Sequence, residues 1–238
     1  MQMRETSRGW DKKPIVNNNL KTRAACNLNS KETFLISPDG KGLPVKGWKS
    51  NYKTSYLENG KLDLANTNYY ESEDLVVIKK LIVAISANKP EIKNIFLDTI
   101  TMAMFSEYMR TIKDKGYEKY EDIADKVWKL MIVLKPLRED LTIIITGHLE
   151  TDYDENGVRR TSSKIPAGKI LKNKVTLEEL FNEVLYTEVI HTNDKSEYYF
   201  ITQNNGKNTC KSSEGMFDDI RIPNDYDYVI KKMISYEN

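Results

Sequence analysis

The feature that most constrains the fold is a series of short apolar runs alternating with helical patterns. "ETFLIS" (32–37), "NIFLD" (94–98), "LTIIIT" (141–146), "VLYTEVI" (184–190) and "YYFIT" (198–202) are β-branched or aromatic, and each stops at a polar residue or a turn. Each predicts a strand, and Ile15-Val16 predicts a further short one. Between them, Leu75 to Ala87 reads as a helix ended by Asn88 and Pro90. Met102, Phe105, Met109 and Ile112 recur at spacings of three and four, predicting an amphipathic helix over 101–115 that stops at Gly116 with these four on its apolar face. Ile123, Val127, Leu130, Met131 and Leu134 repeat the pattern up to Pro136. Thr176 with Glu179 reads as a capping box opening another helix, and 225–236 supplies the last. Such alternation, without an internal repeat, is the pattern of βαβ units and predicts an α/β fold with a mainly parallel sheet.

A chain of 238 residues can bury a real core, and one domain over 13–238 behind a tail at 1–12 is the simplest division. Charged residues at 30% and hydrophobic ones at 39% exclude a largely disordered chain. Lys+Arg 36 against Asp+Glu 35 leaves +1, so steering toward nucleic acid has to be local. Cys26 and Cys210 have neither disulfide-framework nor zinc spacing, which points to a reducing, cytoplasmic setting. The most apolar window, "LVVIKKLIVAISA", is interrupted by Lys79-Lys80, and no membrane segment or signal peptide is expected.

Four constellations carry chemistry. In "KPIVNNNLKTRAACNL" (13–28) a strand, a turn, Lys21-Thr22 with Arg23 beside them, and an alanine-rich stretch expected to be helical are the parts of a phosphate loop. The positions that GxxxxGK[ST] reserves for glycine hold Ile15 and Leu20. The side chains there occupy space that the anion needs, so Lys-Thr is also readable as a solvated surface pair. "IFLD" ends in Asp98, placed either to orient a Mg²⁺ shell or, with Thr99, to cap the next helix. "IIITGHLE" places Thr146, His148 and Glu150 just past a buried strand, at the sheet edge where α/β sites form. There His148 could sense a phosphate, polarise water, or be no more than a hydrogen-bonded loop residue. "VRRTSSKIPAGKILKNK" (158–174) holds Arg159, Arg160, Lys164, Lys169, Lys172 and Lys174 with no acid, suiting either a nucleic-acid grip or a hairpin neutralised by the preceding "ETDYDE".

Taken with "ETFLISPDGKGLPVKGW", "KPEIKNIFLDTITMAM", "MRTIKDKGYEKYEDIADKVWKLM", "KVTLEELFNEVLYT" and "GMFDDIRIPNDYDYVIKKM", the chain resembles phage-encoded P-loop ATPases of the AAA/RecA-like type, relatives of RecA-like single-strand-annealing proteins. The resemblance runs from about Lys13 to the C-terminus. It implies a RecA-like P-loop NTPase core with helices on both faces of the sheet. It further implies Mg-ATP as cofactor, with Lys21 and Thr22 as Walker A lysine and Mg²⁺ hydroxyl, Asp98 as Walker B acid, and Thr146 and His148 as the polar sensor segment. By position it makes the run from Arg159 a DNA-contacting loop, and Lys207 and Lys211 candidates to act in trans on a neighbour's nucleotide.

The implied role is DNA recombination or replication in the cytoplasm of an infected bacterial host. Its partners would be single-stranded DNA, further copies of the chain and a phage or host protein. The chain departs from the family in its missing glycines and a turn about four residues shorter, which predicts nucleotide binding weakened or lost. The competing readings are a non-enzymatic scaffold built on the same core and a metal-dependent nuclease using Asp98, Glu150 and His148.

Overall fold

The computed structural model describes residues 15–17, 21–55, 57–58, 61–153, 155–166 and 177–237. The tail at 1–12, Leu20, Lys169 and Thr176 lie outside the described residues.

The chain runs β1 (Ile15–Asn17), a 3₁₀ turn (Arg23–Asn27), β2 (Thr33–Ser37), α1 (Trp48–Asn51), β3 (Leu57–Glu58), β4 (Lys61–Leu62), β5 (Tyr69–Glu71), α2 (Leu75–Asn88), β6 (Asn94–Leu97), α3 (Ile100–Arg110) and α4 (Glu118–Ile132). It continues through β7 (Thr142–Gly147), β8 (Leu149–Tyr153), β9 (Arg159–Ser163), a second 3₁₀ turn (Leu177–Leu180), β10 (Val184–His191), β11 (Ser196–Ile201), β12 (Arg221–Pro223) and α5 (Tyr226–Glu237). The main sheet is eight-stranded, in the order β12-β11-β10-β1-β7-β6-β2-β5. From β10 to β5 every neighbour is parallel, and β11 and β12 close one edge antiparallel. Every strand read from the sequence forms.

The apolar runs are uninterrupted because the parallel strands are covered on both faces. Phe34 and Ile36 of β2, Ile95 and Leu97 of β6, and Ile143 and Ile145 of β7 face α2, α3 and α4. Leu35, Phe96 and Ile144, the residues between them, face the first 3₁₀ turn and α5. The sheet with helices on both faces is that of a RecA-like P-loop core. Asp74 caps α2 by accepting from the amides of Val76 and Val77, and Thr99 caps α3 through the amide of Met102.

Three expectations are corrected. The helix read over 101–115 ends at Arg110, and its phase is reversed. Phe105, Met109 and Ile112 are 44%, 46% and 45% exposed, while Ile100, Ala103, Met104 and Glu107 are buried. The inward face was hidden by its charge: Glu107, 4% exposed, accepts from the Leu75 amide, Arg110 and Lys126, satisfying a carboxylate where periodicity expects a hydrocarbon. The alanine-rich stretch after Lys21-Thr22 makes one 3₁₀ turn rather than a helix. Leu28 is already extended, and the Asn29 side chain takes the Lys31 amide, a local bond that competes with helix continuation. The helix expected after Thr176 is likewise only the turn at Leu177–Leu180, because β10 begins at Val184 and Glu178 is turned inward.

Candidate functional site

Strands β1, β7 and β6 are adjacent in the sheet, so the segments leaving their C-terminal ends meet at one edge. Lys21 follows β1, and its side chain folds over that edge, 3% exposed, with Nζ donating to the Gly147 carbonyl at 2.7 Å. Burial lowers its pKa to about 8, against the opposing pull of Asp98 and Asp39. The ammonium therefore stays charged at neutral pH, but at a desolvation cost.

Beside it the Thr22 hydroxyl donates to Asp98 Oδ2, and the Thr146 hydroxyl lies 2.6 Å from Asp98 Oδ1. Thr99, not Asp98, caps α3, which leaves the Asp98 carboxylate to the two threonines. A hydroxyl, a carboxylate and a buried ammonium at one sheet edge are the donor set of a Mg²⁺-phosphate site, where the cation takes few protein ligands and keeps water and phosphate oxygens. Among the described residues no group of three or more His, Cys, Asp or Glu side chains could hold a metal alone, so Asp98, Glu150 and His148 do not form a nuclease-type centre.

The sequence reading missed Asp39. "SPDG" signals a turn, yet like "IFLD" it puts an acid just past an apolar strand at the same sheet edge. Its carboxylate accepts from Ser37 Oγ at 3.2 Å and pairs with Lys41 Nζ at 2.9 Å. Burial pushes its pKa up, but the Lys41 bonds and charge together with Ser37 outweigh this and hold it below the usual range.

Past β7, the His148 amide donates to the Thr101 hydroxyl at 2.9 Å and its carbonyl accepts from the Lys164 amide at 2.7 Å. Burial first, then the Lys21 charge, lowers the imidazole pKa, so the ring is neutral at pH 7. His148 is thus the hinge point between the sheet edge and an antiparallel hairpin of β8 and β9. Arg159 and Arg160 are exposed on β9, paired in register with Tyr153 and Asp152, so the hairpin carries part of its own neutralisation. Lys164 is exposed at its base. The Arg160 guanidinium donates to the Gly206 carbonyl, and the Thr161 amide to the Lys207 carbonyl, so the exposed Lys207 rides on the hairpin.

Lys211 is placed differently. It is partly buried, pairs its backbone with Val184, and feels Glu179, Glu183 and Glu178, though burial still lowers its pKa. Glu178, also missed, takes the Ser163 amide at 2.7 Å and the Thr209 hydroxyl at 3.1 Å, anchoring the hairpin to the loop before Lys211.

A cavity of about 840 Å³ opens beside Thr22, walled by Arg23 and Cys26 of the 3₁₀ turn, Leu43 of the loop after β2, and Tyr198 and Asn224 of the antiparallel edge. Gly42 permits that loop: its φ is +66°, and a Cβ there would run into the Trp48 indole.

Fold and edge together define a P-loop ATPase core of the RecA-like type. The profile of an AAA domain family matches residues 38–213, nearly three-quarters of the sequence, and the chain belongs to that family. Asp39, Asp98, Thr146, His148 and the hairpin lie inside the matched span, and Lys21 and Thr22 precede it. Among solved structures, the chain is similar to a KaiC-like protein from the hyperthermophilic archaeon Pyrococcus horikoshii OT3, at 10% identity and a TM-score of 0.43 over 81% of this chain and 78% of that one. No curated protein matches the sequence.

Proposed function

We propose that the domain binds Mg-ATP at the Lys21–Asp98 edge, weakly for its family, and uses the nucleotide state to set the grip of the β8–β9 hairpin on single-stranded DNA. The observation that carries this is the buried Lys21 ammonium, held at a desolvation cost beside a Thr22–Asp98–Thr146 bond chain. A scaffold gains nothing from keeping a charged lysine in that position, whereas an anion site needs one.

Lys21 would leave the Gly147 carbonyl for outer phosphate oxygens, and Thr22 and Asp98 would hold the Mg²⁺. The ion supplies charge neutralisation across the phosphates. Asp39, held ionised by Lys41 and Ser37, would polarise the attacking water. Neutral His148 would sense the terminal phosphate and, through the Lys164 amide on its carbonyl, pass its state to the hairpin. The degenerate loop, with Ile15 and Leu20 in place of glycines, lowers affinity without removing Lys21, Thr22 or Asp98. A role in phage recombination or replication as a homo-oligomer is the setting this reading fits, with Lys207 the better placed of the two lysines to reach a neighbour's nucleotide.

Melting temperature with millimolar Mg-ATP tests the reading, since a ligand bound only to the folded state adds RT ln(1+[L]/Kd), about 1.4 kcal/mol at ten times Kd. A rise that disappears in Lys21→Met is expected. An unchanged melting temperature would return the scaffold reading to the front.

A further inference from the structure

Helix α2 carries an apolar surface that the described chain leaves uncovered. Its sequence, "LVVIKKLIVAISAN", is apolar at every position but Lys79, Lys80, Ser86 and Asn88. A helix apolar nearly all round is the pattern of one buried on both sides. Yet only the inner stripe of Leu75, Ile78, Leu81, Ile82 and Ile85 is buried in the core. On the other side Val83, Ala84 and Ala87 line a groove of about 1110 Å³ together with Trp128, Ile132 and Val133 of α4. Val83 is 38% exposed there and Trp128 42%.

The rim of this groove is cationic. Lys79, Lys80, Lys129 and Lys135 stand around it with one acid, Asp125, which Lys129 already holds at 2.7 Å. Among the described residues Lys79 and Lys80 have no ion pair. With the whole chain at +1, that excess is local to the groove. An apolar floor beside unpaired ammonium groups complements an apolar stripe flanked by carboxylates, and an exposed indole is the kind of anchor that dominates such contacts. Both walls are helices, whose backbone groups are bonded internally. An added β-strand would find no edge, whereas a third helix packs its ridges into the groove. The apolar floor gives phosphates and base edges nothing to bond.

We infer that the α2–α4 groove docks an acidic amphipathic helix of another protein, its apolar residues on Val83, Trp128 and Ile132 and its carboxylates on Lys79 and Lys80. Helices α2 and α4 end at Asn88 and Ile132, before β6 and β7 begin, so the groove lies toward the N-terminal ends of those strands and away from the Lys21–Asp98 edge. Docking there leaves the nucleotide edge and the hairpin free. The inference does not rest on the nucleotide reading above.

The test is fluorescence anisotropy with the full chain and two labelled synthetic helical peptides of about four turns. The two share one leucine stripe and carry either glutamate or lysine on its flanks. The glutamate peptide is expected to bind with a sub-millimolar Kd that rises with salt, and roughly tenfold or more tighter than the lysine peptide. Trp128→Ser should weaken it about thirtyfold, the loss of a hot-spot anchor. Lys79→Glu with Lys80→Glu, which leaves the apolar floor intact, should turn the preference to the lysine peptide. No binding of the glutamate peptide at millimolar concentration, equal binding of the two peptides, or an affinity unmoved by these variants overturns the inference. So does concentration-dependent self-association that Trp128→Ser abolishes, which gives the groove to a second copy of the chain. Displacement of the glutamate peptide by single-stranded DNA from a chain carrying Arg159→Ala and Arg160→Ala gives it to nucleic acid and overturns the inference as well.

Discussion

The Thr22 hydroxyl donates to the Asp98 carboxylate, joining the segment after β1 to the end of β6 across the intervening strand β7. Thr146 of β7 takes the other carboxylate oxygen, so three strand ends are joined through one acid. Asp98→Ala would leave the half-buried Thr22 hydroxyl without this acceptor and the Thr146 hydroxyl with the Leu97 carbonyl alone. It is expected to destabilise the fold by about 1–3 kcal/mol in urea unfolding and to abolish the Mg²⁺ dependence of nucleotide binding. Retained Mg²⁺ dependence would remove Asp98 from the cation site.

Lys21 makes a pH prediction with a definite sign. Its pKa is about 8 in the fold against 10.5 for the free side chain, so between those values the unfolded chain holds more protons. Stability must then rise with pH across that window. At 1.36 kcal/mol per pH unit the whole window is worth about 3 kcal/mol. Urea unfolding at pH 7.5 and pH 10 should show this gain in the natural protein and lack it in Lys21→Met, the difference between the two isolating the one group. Parallel curves would mean that Lys21 is solvated.

The reversed phase of α3 is testable by paired substitutions. Phe105→Ser, on the outward face, is expected to change stability by no more than about 0.5 kcal/mol. Met104→Ala should cost about 2–5 kcal/mol. Glu107→Ala, which takes the acceptor from the Leu75 amide while Lys126 keeps Asp122 and Arg110 keeps Glu73, should cost about 1–3 kcal/mol. The opposite ranking would restore the face that the spacing suggests.

The hairpin prediction concerns salt. Single-stranded DNA binding should weaken as salt rises, and Arg159→Ala with Arg160→Ala should lower the log–log slope by about 0.7 for each phosphate that an arginine no longer neutralises. Binding that is absent or independent of salt would separate the hairpin from nucleic acid.

Much of the fold was legible because parallel strands buried on both faces leave an unmistakable apolar signature, and "TIIIT" or "NIFL" could hardly be anything else. Asp98 and His148 were legible for the same reason: they stand where such runs stop. What was hidden involved polar groups satisfied by tertiary partners. Glu107 disguised the inner face of α3, Glu178 turned a capping pattern into a 3₁₀ turn, and Asp39 sat in a motif that reads as a turn. Local spacing carries no information about a carboxylate's distant partners.

The most direct measurement is a crystal structure grown with Mg²⁺ and a non-hydrolysable ATP analogue at millimolar concentration. Triphosphate density is expected against Lys21 Nζ, withdrawn from the Gly147 carbonyl, with a Mg²⁺ between Thr22 and Asp98. Lys21 still bonded to Gly147, and no triphosphate at this edge, would contradict the account.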